Sequence, residues 1–244
     1  MSTFSIKYQT AEIISPPYSY AVEINGNIEQ NQELSLSFEL TYLNRDGLSL
    51  EEIEEEGFTQ NDDFNWKGTL PIIWTDILFG NFKSSKPLIV NDLEDEKDFW
   101  ELSFENKTWF PHDPDDWKYF IEEIQQAVYE KAGLEAPLNL TFLKINQNQK
   151  TELNISASFV HREIILTKWS SETNQKKEKQ LEWDELNFIL KNAFSGDFYE
   201  ESALNKTPFR NGNYVNIGDG LWYEIGKSLK IESHKVNKIW KLFE

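Results

Sequence analysis

Residues 23–42, EINGNIEQNQELSLSFELTY, align without a gap against residues 142–161, FLKINQNQKTELNISASFVH. Asn27, Gln30, Glu33, Leu34 and Ser37 meet Asn146, Gln149, Glu152, Leu153 and Ser156. Loops rich in Asn, Gln and Glu match by chance, so the order of later matches carries more weight. Residues 65–82, NWKGTLPIIWTDILFGNF, and 182–198, EWDELNFILKNAFSGDF, each place a Trp (Trp66, Trp183) second and close on Gly-(Asn/Asp)-Phe. Phe99-Trp100-Glu101-Leu102 then answers Trp222-Tyr223-Glu224-Ile225. Collinear matches at a spacing of roughly 120 residues are the signature of an internal repeat.

The second copy gives the clearer outline. Residues 138–145 alternate as a strand, and 151–169 form a long run rich in Ile, Val, Phe and Thr. Residues 170–174 make a polar turn, with 175–182 returning as the hairpin partner. Residues 183–194 group Trp183, Leu186, Phe188, Ile189, Leu190 and Ala193 largely on one side of a helix. Asn211-Gly212 and Gly218-Asp219-Gly220 are turn signals bracketing strands at 213–217 and 221–225. Ser233 is the expected N-cap of a last helix. The first copy places strands at 19–24, 33–43, 88–90 and 99–104, and helices near 70–78 and 114–131. A short acidic helix at 49–56, capped by Ser49, replaces the second copy's hairpin. Residues 1–15 add an extra strand or two, ended by Pro16-Pro17.

Hairpin turns with appended helices predict an α+β fold, a duplicated, mainly antiparallel β-sheet unit of β-β-α-β-β-α type. The expected division is 1–133 and 134–244, packed about a pseudo-twofold axis. Trp66, Ile73, Ile77, Trp100, Phe120, Trp183, Ile189, Trp222 and Trp240 lie on the apolar sides of these patterns and are expected in the core.

The chain has 244 residues, 39% hydrophobic and 14% aromatic, with no cysteine. That aromatic load calls for a substantial core, and the missing thiols exclude disulfides, thiolate metal sites and cysteine nucleophiles. Residues 1–7 lack a basic-then-apolar secretion pattern, and no apolar run is long enough to cross a bilayer. The expectation is a cytoplasmic monomer or weak dimer without membrane contact. Net charge is −18, and its distribution is lopsided. Residues 1–133 hold 9 Lys+Arg and 27 Asp+Glu, whereas 134–244 hold 15 of each.

Few motifs carry chemistry. His112-Asp113-Pro114-Asp115-Asp116 offers an imidazole and three carboxylates to a hard cation, but each residue also fits a helix start, with Asp113 as cap and Pro114 first. Asn44-Arg45-Asp46-Gly47 fails as a calcium loop, because placing Gly47 sixth puts Tyr42 first and Ile53 twelfth. No metal site or cofactor is therefore expected. There is no phosphate loop, dinucleotide fingerprint or zinc helix, and the three histidines are scattered.

Charge carries the remaining signal. Glu51, Glu52, Glu54, Glu55, Glu56, Asp62 and Asp63 form an acidic run, echoed by Asp92, Glu94, Asp95, Glu96 and Asp98. Such runs are commonly solvated faces. Their confinement to one of two sister copies points instead to a non-catalytic protein that docks its acidic lobe on a basic protein partner. In the other copy Lys176, Lys177, Lys179, Lys227 and Lys230 lie near Trp222 and Tyr223. That mixture of cations and rings is what single-stranded nucleic acid requires, although net charge opposes it. The third reading is a hydrolase or transferase working through paired carboxylates.

Overall fold

In Leu34-Ser35-Leu36-Ser37-Phe38-Glu39-Leu40 every second side chain is apolar, and those four are buried while Ser35 and Glu39 are exposed. A period of two with one apolar face is what a sheet covered on one side demands. The computed structural model describes residues 2–88 and 96–244, and divides the chain into two compact units, Met1–Glu135 and Ala136–Glu244.

The first unit runs β1 (Ser2–Gln9), β2 (Tyr20–Ile28), β3 (Leu34–Tyr42), α1 (Leu50–Glu55), β4 (Phe64–Leu70), α2 (Ile72–Ser84), β5 (Phe99–Phe104), β6 (Lys107–Trp109) and α3 (Pro114–Ala132). Its sheet has the order β4-β3-β2-β1-β5-β6, antiparallel at every pairing. Phe4, Ile6, Val22, Ile24, Phe38 and Leu102 line the buried face. Phe82 of α2 stacks on Phe104 at 4.8 Å and meets Trp117 of α3 at 5.0 Å, so both helices close over that face. The opposite face carries polar side chains, among them Lys7, whose Nζ lies 2.9 Å from Glu101 Oε1.

The second unit runs β7 (Leu138–Asn146), β8 (Gln149–Ser158), β9 (Glu163–Ser170), β10 (Gln175–Leu181), α4 (Glu185–Ala193), β11 (Asp197–Phe198), β12 (Gly212–Asn216), β13 (Tyr223–Glu224), β14 (Leu229–Lys230) and α5 (Ser233–Lys241). Its main sheet is β10-β9-β8-β7-β12-β13, with β11 and β14 paired separately. Leu140, Phe142, Leu153, Ile155, Leu166 and Val215 form a core with Ile189 of α4 and Val236, Ile239 and Trp240 of α5. The molecule is thus mixed α+β, with two antiparallel multistranded sheets and five α-helices among the described residues. No helix among them is long and apolar enough to cross a membrane.

Several sequence expectations need correction. The segment 1–15, expected as an addition before the repeat, supplies β1, which lies between β2 and β5 and buries Phe4, Ile6 and Tyr8. The acidic helix does not replace a hairpin. It is inserted in the connection between β3 and β4, which still pair along seven positions. The long run 151–169 is two strands, β8 and β9, because the chain turns at 159–162, where Arg162 has φ 48°. Ser233 is the first residue of α5, and Glu232 occupies the cap position. The strand expected at 88–90 falls largely outside the described residues.

The aligned segments themselves sit on non-equivalent elements. Residues 23–42 span most of β2 and all of β3, whereas 142–161 span part of β7, all of β8 and the start of the turn after it. Trp66 lies in β4 but Trp183 in the turn before α4, and Phe99–Leu102 lies in β5 but 222–225 at the sheet edge around β13. Core placement was correct for Trp100, Phe120, Trp183, Ile189 and Trp240. Ile77 and Trp222 are half-buried and Ile73 is exposed, because the apolar sides of α2 and of the chain at β13 are set one residue away, on Trp74 and Leu78 and on Tyr223. Trp66 is half-buried opposite Phe38 because β4 is the edge strand of its sheet.

Candidate protein-interaction site

Ser49 and Glu52 fix the start of α1 reciprocally. Ser49 Oγ accepts from the Glu52 backbone N–H at 3.3 Å, and Glu52 Oε2 accepts from the Ser49 N–H and hydroxyl, both at 2.8 Å. A helix of six residues is too short to persist unaided, so this capping box and the burial of Ile53 hold it. The hydrogen bonds from Ser49 hold the Glu52 carboxyl below the usual carboxylate range. Glu51 and Glu52 also lie in the first turn, where the helix dipole favours negative charge.

Arg45 anchors the surrounding loops. Its guanidinium donates to Pro17 O at 2.9 Å, to Thr59 O at 3.2 Å and to Asp62 Oδ2 at 2.7 Å. It also lies 3.8 Å over the Tyr42 ring and 4.7 Å from Phe58. Burial pushes the Asp62 carboxyl up, but hydrogen bonds from Thr59 and Arg45 outweigh it, so the group is held below its ordinary value. A carboxyl depressed on folding contributes stability above its unfolded pKa, and that contribution is lost as pH falls through the lower folded value. Stability measured by denaturant titration should therefore fall below about pH 4. Asp62→Asn should remove part of that acid dependence, and an unchanged profile would show that Asp62 is not among its sources.

Of the seven acids in the run, four are committed internally. Glu52 closes the capping box, Glu56 accepts from the Tyr18 hydroxyl, Asp62 meets Arg45 and Thr59, and Asp63 Oδ1 accepts from the Tyr42 N–H at 2.8 Å. Glu51, Glu54 and Glu55 are exposed on α1. In the second run, Asp92, Glu94 and Asp95 lie outside the described residues and Glu96 is exposed. Asp98 is a structural acceptor for Tyr8 Oη at 3.0 Å, the Ala11 N–H at 2.9 Å and Lys118 Nζ at 3.3 Å.

The cationic set of the second unit is dispersed. Lys176 is opposite Trp169 and Lys177 opposite Lys168, so successive lysines of β10 point to opposite faces. Lys176 pairs with Glu178 at 2.9 Å, and Lys179 Nζ donates to Leu242 O at 2.7 Å. Lys227 pairs with Glu224 at 2.8 Å, and Lys230 Nζ donates to Gly226 O at 2.7 Å. Trp222 packs on Leu143, Ile145 and Tyr214. Tyr223 is fully buried and its hydroxyl donates to Asp219 Oδ2 at 2.6 Å. Its expected role as a stacking platform is therefore corrected, because β13 turns this ring into the core.

At His112–Asp113 the α3 start is realised with Pro114 in the first turn, but the Asp113 side chain faces His112 Nδ1 at 3.1 Å rather than a helix N–H. Among the described residues no group of three or more His, Asp or Glu side chains converges as a metal site. One feature carries no signal in the sequence. The irregular segment 204–211 borders a cavity of about 470 Å³ with Tyr214, Glu224 and Lys227. It lacks any hydrophobic period, and Asn211-Gly212 signals only a turn. Compared with known proteins, the chain matches no family model, no curated protein and no solved structure.

Proposed function

We propose that the protein is a non-catalytic interaction protein whose first unit presents its acidic surface to a basic protein partner. The observation carrying this reading is α1, a helix fixed in place with Glu51, Glu54 and Glu55 exposed while the neighbouring acids are committed to the fold. A pre-ordered row of carboxylates meets a cationic surface with little ordering cost, and complementary charge raises the rate of encounter. Competing readings have less support. The lysines of β10 are split between two faces, and the lining of the 470 Å³ cavity holds a single carboxylate, Glu224. Among the described residues the carboxyls with displaced values, Glu52, Asp62 and Glu178, all move down, opposite to a general acid.

We also propose that the two units arose by duplication, in a register other than the one first aligned. Both sheets have four sequential strands, then a fifth beside the first and a sixth outside it. Asn25 Nδ2 donates to Glu23 Oε1 in β2, and Asn154 Nδ2 to Glu152 Oε1 in β8, each at 2.7 Å. Charge has then diverged between the copies.

The test is reversal of Glu51, Glu54 and Glu55 to Lys, with Glu52 kept because it closes the capping box. Parent protein should capture basic partners from its native lysate at low salt and release them near 1 M, where the screening length falls to about 3 Å. The reversed variant should capture none of them while its unfolding free energy stays within about 1 kcal/mol of the parent, since exposed charges contribute little singly. Recovery of the same basic partners by both proteins would overturn the proposal.

A further inference from the structure

The segment 204–211 is held at three points. Leu204 exchanges two backbone hydrogen bonds with Trp222, at 2.8 and 2.9 Å. Pro208 is buried. At the far end, the hydroxyl of the buried Tyr214 donates to Arg210 O at 3.1 Å. Gly212 permits that last contact, because a Cβ there would come within 2.8 Å of the Tyr214 hydroxyl and 2.9 Å of its ring. The result is a tethered loop beside a standing cavity of about 470 Å³, within the range of small-molecule sites.

Its lining has a definite chemistry. Three cations, Lys206, Arg210 and Lys227, face one carboxylate, Glu224, and Lys227 already neutralises that carboxylate at 2.8 Å. Among the described residues no carboxylate lies within ion-pair distance of Lys206 or Arg210. The apolar side is Leu204, Pro208 and Phe209. Phe209 is 76% exposed, beyond any other large apolar side chain among the described residues, and its ring lies 5.7 Å from the Arg210 guanidinium. A lone exposed ring is ordinary. Beside an uncommitted guanidinium and at the edge of a cavity, it supplies the flat apolar wall that an aromatic ligand needs.

We propose that this cavity binds a small aromatic anion. Its carboxylate or phosphate sits against Arg210 and Lys206, and its ring lies against Phe209. This site lies in the second unit and is independent of the acidic surface of the first. Arg210 gives the planar donor pair suited to both head groups.

The test uses the full chain and backbone amide shifts. Phenyl phosphate and benzoate stand for the two head groups, with benzyl alcohol as the neutral ring and inorganic phosphate as the bare head. At least one aromatic anion should give saturable shifts confined to residues 204–214 and 222–228, with a dissociation constant of about 0.1–1 mM for so small a ligand. Benzyl alcohol and inorganic phosphate should each bind about tenfold more weakly or worse. Combined Lys206→Gln and Arg210→Gln should weaken the anion at least about tenfold, as loss of a charge-assisted bond requires. Phe209→Ala should reduce phenyl phosphate to the affinity of inorganic phosphate. These side chains are exposed, so the rest of the spectrum should be unchanged and would report any misfolding directly. Three results would overturn the site: no saturation by about 10 mM, shifts centred elsewhere, or affinity indifferent to Arg210 and Lys206.

Discussion

Replacing Trp74 by alanine should destabilise the first unit by about 3–5 kcal/mol, while Ile73→Ala, one residue earlier on the same helix, should cost less than about 1 kcal/mol. Trp74 is fully buried, with its ring 6.1 Å from Phe120 of α3, and Leu78 is buried one turn later. Ile73 is 38% exposed. The rotation of α2 is set by Thr75, also buried, whose hydroxyl donates to Gln32 O at 2.8 Å. Turning the helix to bury Ile73 and Ile77 would break that bond and withdraw the indole from the core. Removing Trp74 leaves a large cavity that a helix pinned on both sides cannot collapse. Chemical denaturation of the full chain, followed by a probe in the first unit, checks the contrast. An Ile73→Ala cost equal to that of Trp74→Ala would show that the helix is rotated from this position.

Arg45→Ala should cost about 2–4 kcal/mol, a loss out of proportion to a surface ion pair. The Arg45 side chain is 10% exposed and Asp62 21%, so removing the guanidinium leaves a half-buried carboxylate with its Thr59 donors but without its counter-charge. It also leaves the carbonyls of Pro17 and Thr59 without this donor, and the rings of Tyr42 and Phe58 without their cation. Arg45→Lys should recover only a minor part, because an ammonium cannot reach three acceptors in one plane while lying on a ring. The consequence for function is separable. Arg45 touches none of Glu51, Glu54 or Glu55, yet it anchors the loops on both sides of α1. Amide exchange across residues 45–62 should therefore quicken in Arg45→Ala, and capture of a basic partner should weaken with the three acids intact. Stability within about 0.5 kcal/mol of the parent would show that Arg45 does not anchor this region.

The Ser49 cap and the strands at 33–43 and 99–104 were legible because their signals are local: a cap residue directly ahead of a short acidic run, or apolar side chains at every second position. The reciprocal bond from Glu52 came with the structure. The break between β8 and β9 was not legible. Phe159, Val160 and His161 continue a β-like composition, and only the fold puts Arg162 at positive φ. Of the acidic run, the exposure of Glu51, Glu54 and Glu55 follows from their number on so short a helix. The commitment of Glu56 to Tyr18 and Asp62 to Arg45 does not, since those partners are 38 and 17 residues away.

By itself the sequence determined the mixed α+β class, the absence of thiol chemistry, the acidic bias of the first half and the site of the short capped helix. Each depends on composition or on neighbours within a few residues, where backbone geometry relates spacing to structure directly. Tertiary structure alone decided that β1 is a central strand, that Trp74 rather than Ile73 is in the core, that Tyr223 faces inward, and that Lys206, Arg210 and Phe209 share one cavity. Those outcomes turn on strand order and helix rotation. Both are fixed by contacts between segments tens of residues apart, and a local period constrains neither the partner of a strand nor the phase of a helix on its sheet.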